Sequence, residues 1–123
     1  MAANPEKGEV DLKVGEKGFV LRLTWNEIAV FERTQGLAWF ESFAPKLMAP
    51  NTISGGEWIA LLFAALHRNH PEVTLFDAGD LLTEVGVERV AGHLTECLRF
   101  TFPQPEAAKK NPRKASPKAG TGK

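Results

Sequence analysis

A strongly apolar segment near the middle of the chain constrains the fold most. Between residues 55 and about 69, large apolar side chains cover nearly the whole circumference of a predicted helix: Trp58, Ile59, Leu61, Leu62, Phe63 and Leu66. Ser54 and Glu57 form a capping box that opens this helix, and Pro71 ends it. A helix that is apolar all round has to be enclosed. The segment therefore predicts a central helix buried among other elements.

Three further helices are predicted around this one. Two of them have a threonine N-cap, an acid three residues later and a glycine at the end. These residues are Thr24, Glu27 and Gly36 for the helix that precedes the central one, and Thr74, Asp77 and Gly86 for the helix that follows it. Trp25, Ile28 and Phe31 supply the apolar face of the first. The last helix is predicted from about Val87 to Phe102, where apolar residues recur at helical spacing.

The N-terminal part of the chain predicts a β-hairpin. Residues 9–14 alternate polar and apolar side chains, residues 15–18 contain turn glycines, and residues 19–23 resume the alternation. A lone hairpin is not stable in water, so its apolar face has to pack on helices. The predicted fold class is therefore α+β and mainly α, with an N-terminal β-hairpin packed on a bundle of four to five helices.

Charge divides the chain into a domain and a tail. Residues 103–123 hold six basic residues and one acid, a net charge of +5, whereas the rest of the chain carries −5. The Lys/Pro-rich tail has no apolar residue larger than alanine and is predicted to be disordered. We expect a flexible arm over residues 1–8 and a single globular domain over residues 9–102.

The sequence favours a soluble protein of a reducing, cytoplasmic compartment. Cys97 is the only cysteine, so no intrachain disulfide can form. The residues after Met1 contain no apolar stretch that could act as a signal peptide. The longest apolar run, residues 58–66, is far shorter than the roughly 20 residues that a membrane span needs. No membrane partner is therefore expected.

No group of residues predicts an enzyme, a cofactor or a metal site. His67, His70, His93 and Cys97 are the candidate metal ligands, but they fall short of the three or four convergent ligands that zinc requires. Cys97 also lacks the neighbouring base and orienting group of a catalytic nucleophile. The glycine pair after Ser54 lacks the lysine and the spacing of a phosphate-binding loop.

Nucleic acid is a weaker candidate partner than protein. Clustered Lys and Arg in the tail could contact phosphate groups. However, the acidic domain would repel nucleic acid, and the tail contains no aromatic residue on which a base could stack. A small nucleic-acid-binding protein that works through its tail is therefore the third alternative for the function.

An aromatic stripe in residues 39–48 is the main candidate for an interaction surface. Trp39, Phe40 and Phe43 are predicted on one side of a short helix that two prolines cause to fray into a loop. One interpretation is that the stripe completes the core, because aromatic residues dominate small cores. The other makes Trp39, Phe40, Phe43, Leu47 and Met48 a partner-binding surface, with Met48 as an adaptable neighbour.

The order of these elements resembles a known family. The opening Asn4-Pro5 leads to Lys7-Gly8-Glu9-Val10 and then to a hairpin, and the central helix ends in the string that runs from Ala65 to Thr74. Together with the two helices that follow, this pattern resembles the tail assembly chaperones of the gene-transfer-agent type, which occur in tailed phages and prophages and are also labelled tail tube proteins. The resemblance covers residues 4–102, and the basic tail lies outside it.

The resemblance implies a non-enzymatic role in a bacterial host cell. Chaperones of this family bind the long tape-measure protein, prevent its apolar helices from aggregating and support assembly of the tail tube. The partners implied are the tape-measure protein and other tail proteins, with self-association as a further expectation. The alternative is a structural subunit of the virion, such as a tail-tube or connector subunit, for which residues 1–8 could serve as an arm.

Overall fold

A computed structural model describes residues 3–102 of the chain, so the predicted tail lies outside the described residues. The N-terminal hairpin consists of β1 (Glu9–Val14) and β2 (Lys17–Arg22). The four helices are α1 (Trp25–Gln35), α2 (Gly55–His67), α3 (Leu75–Val85) and α4 (Val87–Thr101). Three short turns between α1 and α2 form a fifth, irregular helical segment: Trp39–Phe43, Ala44–Met48 and Pro50–Thr52. The predicted fold class is confirmed.

The two strands pair antiparallel, with Val14 opposite Lys17, and a loop of two residues connects them. Gly15, the first loop residue, has a φ of +62°. Glycine adopts this left-handed conformation without the steric cost that a Cβ would bring, and it suits the tight turn of a hairpin. Buried residues of the hairpin, among them Leu12 and Leu21, pack against α2 and α4.

Hydrogen bonds between the N-cap residue and an acid three positions later mark where α1, α2 and α3 begin. At α2 the Ser54 hydroxyl accepts a hydrogen bond from the Glu57 N–H at 3.1 Å, and the Glu57 carboxylate accepts one from the Ser54 N–H at 2.8 Å. At α3 the Asp77 carboxylate accepts a hydrogen bond from the Thr74 N–H at 3.0 Å, and the Thr74 hydroxyl accepts one from the Asp77 N–H at 3.1 Å. At α1 the Glu27 carboxylate accepts from both the N–H and the hydroxyl of Thr24. The predicted helix starts are therefore confirmed.

Helix α2 lies at the centre of the domain and contacts β2, α1, α3 and α4. Leu61, Leu62 and Leu66 are fully buried, while Ile59 and Phe63 are partly buried against the same core. The prediction of a central helix enclosed by other elements is thus confirmed. The helix ends at His67, slightly before the predicted end.

The N-terminal segment is folded from Asn4 onward, which differs from the flexible arm predicted for residues 1–8. The Asn4 side chain caps a 3₁₀ turn by accepting from the Glu6 N–H at 3.0 Å. The turn ends at Gly8, with a φ of +72°, where an added Cβ would come within 2.6 Å of the Thr101 hydroxyl oxygen. The cap and this close approach to α4 hold the segment in place.

Arg22 lies between two buried carboxylates and connects the hairpin to α1. Its guanidinium is 3.7 Å from the Glu9 carboxylate and 3.6 Å from that of Glu27. Glu9 also accepts a hydrogen bond from the Asn4 N–H at 3.0 Å. Because removal of one partner would leave a buried charge uncompensated, this cluster fixes the hairpin against the beginning of α1.

Candidate functional site

The structure divides the predicted aromatic stripe between the core and the surface. Trp39 is 2% exposed and Phe43 is fully buried, and their ring centroids lie 5.5 and 4.6 Å from that of Phe31. Phe40 is 55% exposed. Residues 39 and 43 share one side of a helical turn, whereas residue 40 faces away from it. Trp39 and Phe43 therefore belong to the core, and their assignment to a binding surface is corrected.

Leu47 and Met48 also differ in exposure. Leu47 is partly buried against the core, whereas Met48 is 88% exposed. The turn that contains both is anchored to α2, because the Lys46 ammonium donates to the two Glu57 carboxylate oxygens at 3.0 and 2.8 Å. Burial raises the pKa of the Glu57 carboxyl, but hydrogen bonds from Lys46 and Ser54 outweigh this effect, so the pKa lies below its ordinary value.

Three aromatic side chains meet at the surface and define an aromatic patch made of Trp25, Phe40 and Phe102. The Trp25 ring centroid lies 5.4 Å from that of Phe40 and 5.3 Å from that of Phe102, and the Phe40 and Phe102 centroids are 5.9 Å apart. Trp25 is 62% exposed, Phe40 is 55% exposed and Phe102 is partly buried. The three rings form one contiguous apolar surface that is partly exposed to solvent.

Different elements bring the aromatic patch together. Trp25 is the first residue of α1, Phe40 lies in the irregular segment, and Phe102 directly follows α4. The end of α4 is held beside the end of the hairpin because the Thr101 hydroxyl donates to the Leu23 carbonyl at 2.8 Å. The patch thus rests on anchored backbone at the start of α1 and at the end of α4.

Sequence reasoning found Phe40 but missed the other two members of the patch. The apolar pattern places Trp25 on the same face of α1 as Ile28 and Phe31, yet only those two are buried. Trp25 occupies the first helical position, where its side chain projects from the helix end toward Phe40 and Phe102. No signal along the sequence joins residues 25, 40 and 102, because only tertiary packing brings them together.

The histidines make separate structural contacts. His70 accepts a hydrogen bond from the Val20 N–H through Nε2 at 2.9 Å, and its ring lies 5.3 Å from that of Phe19. His93 Nδ1 lies 2.9 Å from the Arg89 carbonyl oxygen. Within residues 3–102, no group of three or more His, Cys, Asp or Glu side chains is placed to hold a metal ion.

Cys97 lies in the core, where its thiol contacts the Leu21 carbonyl at 3.6 Å. Burial, together with the nearby negative charges of Glu96 and Glu9, raises the pKa of the thiol to about 12. Because the thiolate is the reactive form of cysteine, this side chain is unsuited to nucleophilic chemistry in the folded domain.

An acidic groove of about 840 Å³ lies at the loop end of the hairpin, beside α3. Val14, Phe19 and Leu81 contribute apolar lining. The charged lining residues are Glu16, Glu72, Asp77, Asp80 and Glu84, with Lys17 as the basic member. Open acidic side chains of this kind are typical of a solvated surface.

Comparisons with known proteins do not assign this chain to a family. No protein-family model matches it, and neither a curated protein nor a solved structure matches it. In the part of the chain that the structure describes, no helix combines the length and the apolar character needed to cross a membrane.

Proposed function

We propose that this protein is a phage or prophage tail assembly chaperone that binds the tape-measure protein without enzymatic chemistry. The observation that carries the proposal is the aromatic patch, which exposes Trp25 and Phe40 on a domain in which the aromatic residues Phe31, Trp39 and Phe43 are buried in the core. The pattern of residues 4–102, which resembles the tail assembly chaperones, supplies the identity of the client. The proposed place of action is the cytoplasm of the bacterial host.

The chemistry of the patch suits a client with exposed apolar helices. Burial of an aromatic side chain removes about 150–250 Å² from water and dominates interface energetics. Trp25 and Phe40 can therefore cover apolar client surface that would otherwise aggregate. Met48, also exposed, adds a flexible side chain that can adapt to different sequences.

Co-expression with a tape-measure protein from the same phage or prophage, followed by affinity purification, tests this proposal. We expect a soluble complex with the wild-type protein and aggregated tape-measure protein without it. Phe40→Ser and Trp25→Ser should reduce recovery of the complex. Phe76→Ser is the matched control, since Phe76 is 89% exposed but does not belong to the patch. Equal loss with all three variants would contradict a role for the patch.

Mass spectrometry of purified particles separates the chaperone from the structural alternative. A chaperone should be absent from the finished particle, whereas a tail-tube or connector subunit should be present in many copies. If the protein alone forms rings or tubes and does not associate with the tape-measure protein, the structural subunit replaces the chaperone as the proposed function.

A further inference from the structure

The acidic groove at the loop end of the hairpin combines charge with apolar surface. Val14 and Phe19 of the hairpin and Val73, which precedes α3, line the groove and are only partly buried. Its volume of about 840 Å³ lies in the range of about 300–1,000 Å³ that is usual for ligand sites. Cover of these three side chains by a partner would remove apolar surface from water, so the groove offers hydrophobic contact as well as negative charge.

Charge in the groove is strongly one-sided. Five acids and one lysine line it, a net charge of −4. Asp77, Asp80 and Glu84 follow one another on one side of α3 and extend over about 10 Å of the helix axis. Within residues 3–102, the only groove acid that pairs with a basic side chain is Glu72, whose carboxylate lies 4.0 Å from Nδ1 of His70. The groove therefore presents an uncompensated row of carboxylates.

The arrangement of these acids favours a polypeptide over a metal ion. In the part of the chain that the structure describes, no group of three or more His, Cys, Asp or Glu side chains could hold a metal. Carboxylates spread along a helix instead match several cations on one chain. The body of a second copy is a poor fit, because residues 1–102 carry a net charge of −5 and like charges oppose each other across an interface.

We propose that the acidic groove docks a Lys/Arg-rich segment of a partner protein that also carries an apolar anchor side chain. The anchor packs against Val14, Phe19 and Val73, while the cations pair with the carboxylates on α3. Lysine and arginine suit such a groove, because their alkyl stems cover apolar surface while the charged ends stay at the carboxylates.

This docking surface is separate from the aromatic patch. The groove lies at the loop end of the hairpin, whereas the end of α4 is held at the opposite end by the hydrogen bond from Thr101 to Leu23. Six strand residues, or about 20 Å, separate the two ends. The proposal therefore goes beyond the tape-measure role and does not depend on it.

Three labelled synthetic peptides, titrated against the full chain and followed by fluorescence anisotropy, test the proposal. The first is Lys-rich with leucine anchors, the second replaces its lysines by glutamine, and the third replaces its leucines by serine. At low salt we expect the first to bind about tenfold more tightly than either of the others. At 1 M salt, where the Debye length is about 3 Å, the advantage of lysine over glutamine should largely disappear, and that of leucine over serine should remain.

Matched charge variants locate the binding site. Asp80→Asn combined with Glu84→Gln removes two groove charges and leaves the capping residues of α3 in place; it should weaken the first peptide about fivefold, since each exposed ion pair contributes a factor of roughly 1.4–5. Glu6→Gln combined with Glu41→Gln removes the same charge from exposed positions outside the groove and should change the affinity less than about twofold. Lys17→Gln, which removes the groove lysine, should strengthen binding about twofold, a gain that misfolding could not produce.

Several results would overturn the proposal. Equal weakening by the groove pair and the control pair would show that only the net charge of the protein matters. Equal binding of the leucine and serine peptides would reduce the groove to non-specific attraction. Self-association that the groove pair abolishes would make a second copy the occupant. Much tighter peptide binding after replacement of the cations beyond residue 102 by glutamine would assign the groove to the chain's own tail.

Discussion

Substitution of Phe43 and of Phe40 by alanine should have very different effects on stability, although the two residues are only three positions apart. Phe43 is fully buried between Phe31 and Trp39, with ring centroids 4.6 and 5.1 Å away. Removal of a buried phenylalanine side chain costs about 3–5 kcal/mol, because a cavity remains where the ring packed. Domains are stable by only about 5–15 kcal/mol, so Phe43→Ala should be severely destabilising.

Phe40→Ala should cost much less. Complete burial of such a side chain contributes about 1.5–3 kcal/mol, and Phe40 keeps 55% of its surface exposed, so the loss should be about 1 kcal/mol. Phe76→Ala is the control for a fully solvated ring, with an expected change within about 0.5 kcal/mol. The predicted order of the stability losses, Phe43→Ala above Phe40→Ala above Phe76→Ala, follows the burial of the three side chains. It therefore distinguishes the core interpretation of the aromatic stripe from the surface interpretation.

Urea unfolding followed by far-UV circular dichroism measures these differences. With an m-value of about 1.5 kcal/mol/M, the midpoint should fall by about 2–3 M for Phe43→Ala and by less than about 1 M for Phe40→Ala. If Phe43→Ala would not fold, Phe43→Leu gives a smaller cavity and a measurable midpoint. A Phe40 variant as destabilised as the Phe43 variant would refute the division of the stripe between core and surface.

Three further predictions concern the buried polar groups. The free energy of unfolding of the wild type, measured with urea, should exceed that of Lys46→Met by a constant amount at neutral pH, and this difference should shrink below pH 4.5. The pKa of Glu57 is lowered in the folded state, so its ionised form stabilises the fold and that contribution is lost when the carboxyl is protonated. A difference that does not change with pH would contradict the ion pair. Above pH 9 the free energy of unfolding of the wild type should fall by about 1.4 kcal/mol per pH unit relative to that of Cys97→Ala. The reason is that the folded-state pKa of the thiol is about 12, so only the unfolded chain forms the thiolate at these pH values. Parallel pH curves for the two proteins would argue against this pKa. His70→Ala should lower the free energy of unfolding by about 1–3 kcal/mol, because the Val20 N–H loses its acceptor. The control His67→Ala should be nearly neutral, since His67 is exposed. Equal melting temperatures for the two variants would show that the hydrogen bond between Val20 and His70 is unimportant.

Local sequence signals predicted most of the fold because they act over only a few residues. Ser54 and Glu57 predict a helix start independently of the tertiary structure, because they cap each other, and the structure contains both hydrogen bonds between them. The apolar circumference of α2 likewise predicted its central position without knowledge of its neighbours. The turn at Asn4 was not predicted: its side-chain cap is local, but the close approach of Gly8 to Thr101 that accompanies it joins residues far apart in the sequence.

The candidate site was less predictable because its members are joined by packing. Trp25 and Phe31 both fit the apolar face of one helix, but only the second is buried. Hydrophobic periodicity identifies which residues can face a core and cannot identify where the core stops. Helix α1 begins at the boundary of the core, so its first residue reaches the surface and meets Phe40 and Phe102 there.

The burial of Trp39 and Phe43 supports the exposed position of Phe40. Two buried rings fix one side of the turn in the core, and the pair of Lys46 and Glu57 fixes the following turn on α2. With both ends of the segment held, Phe40 is presented without a large loss of conformational freedom on binding, and ordering of a loop is one of the main costs of association. Trp39 and Phe43, which the sequence suggested as direct contacts, thus act in this proposal as the support on which Phe40 is held.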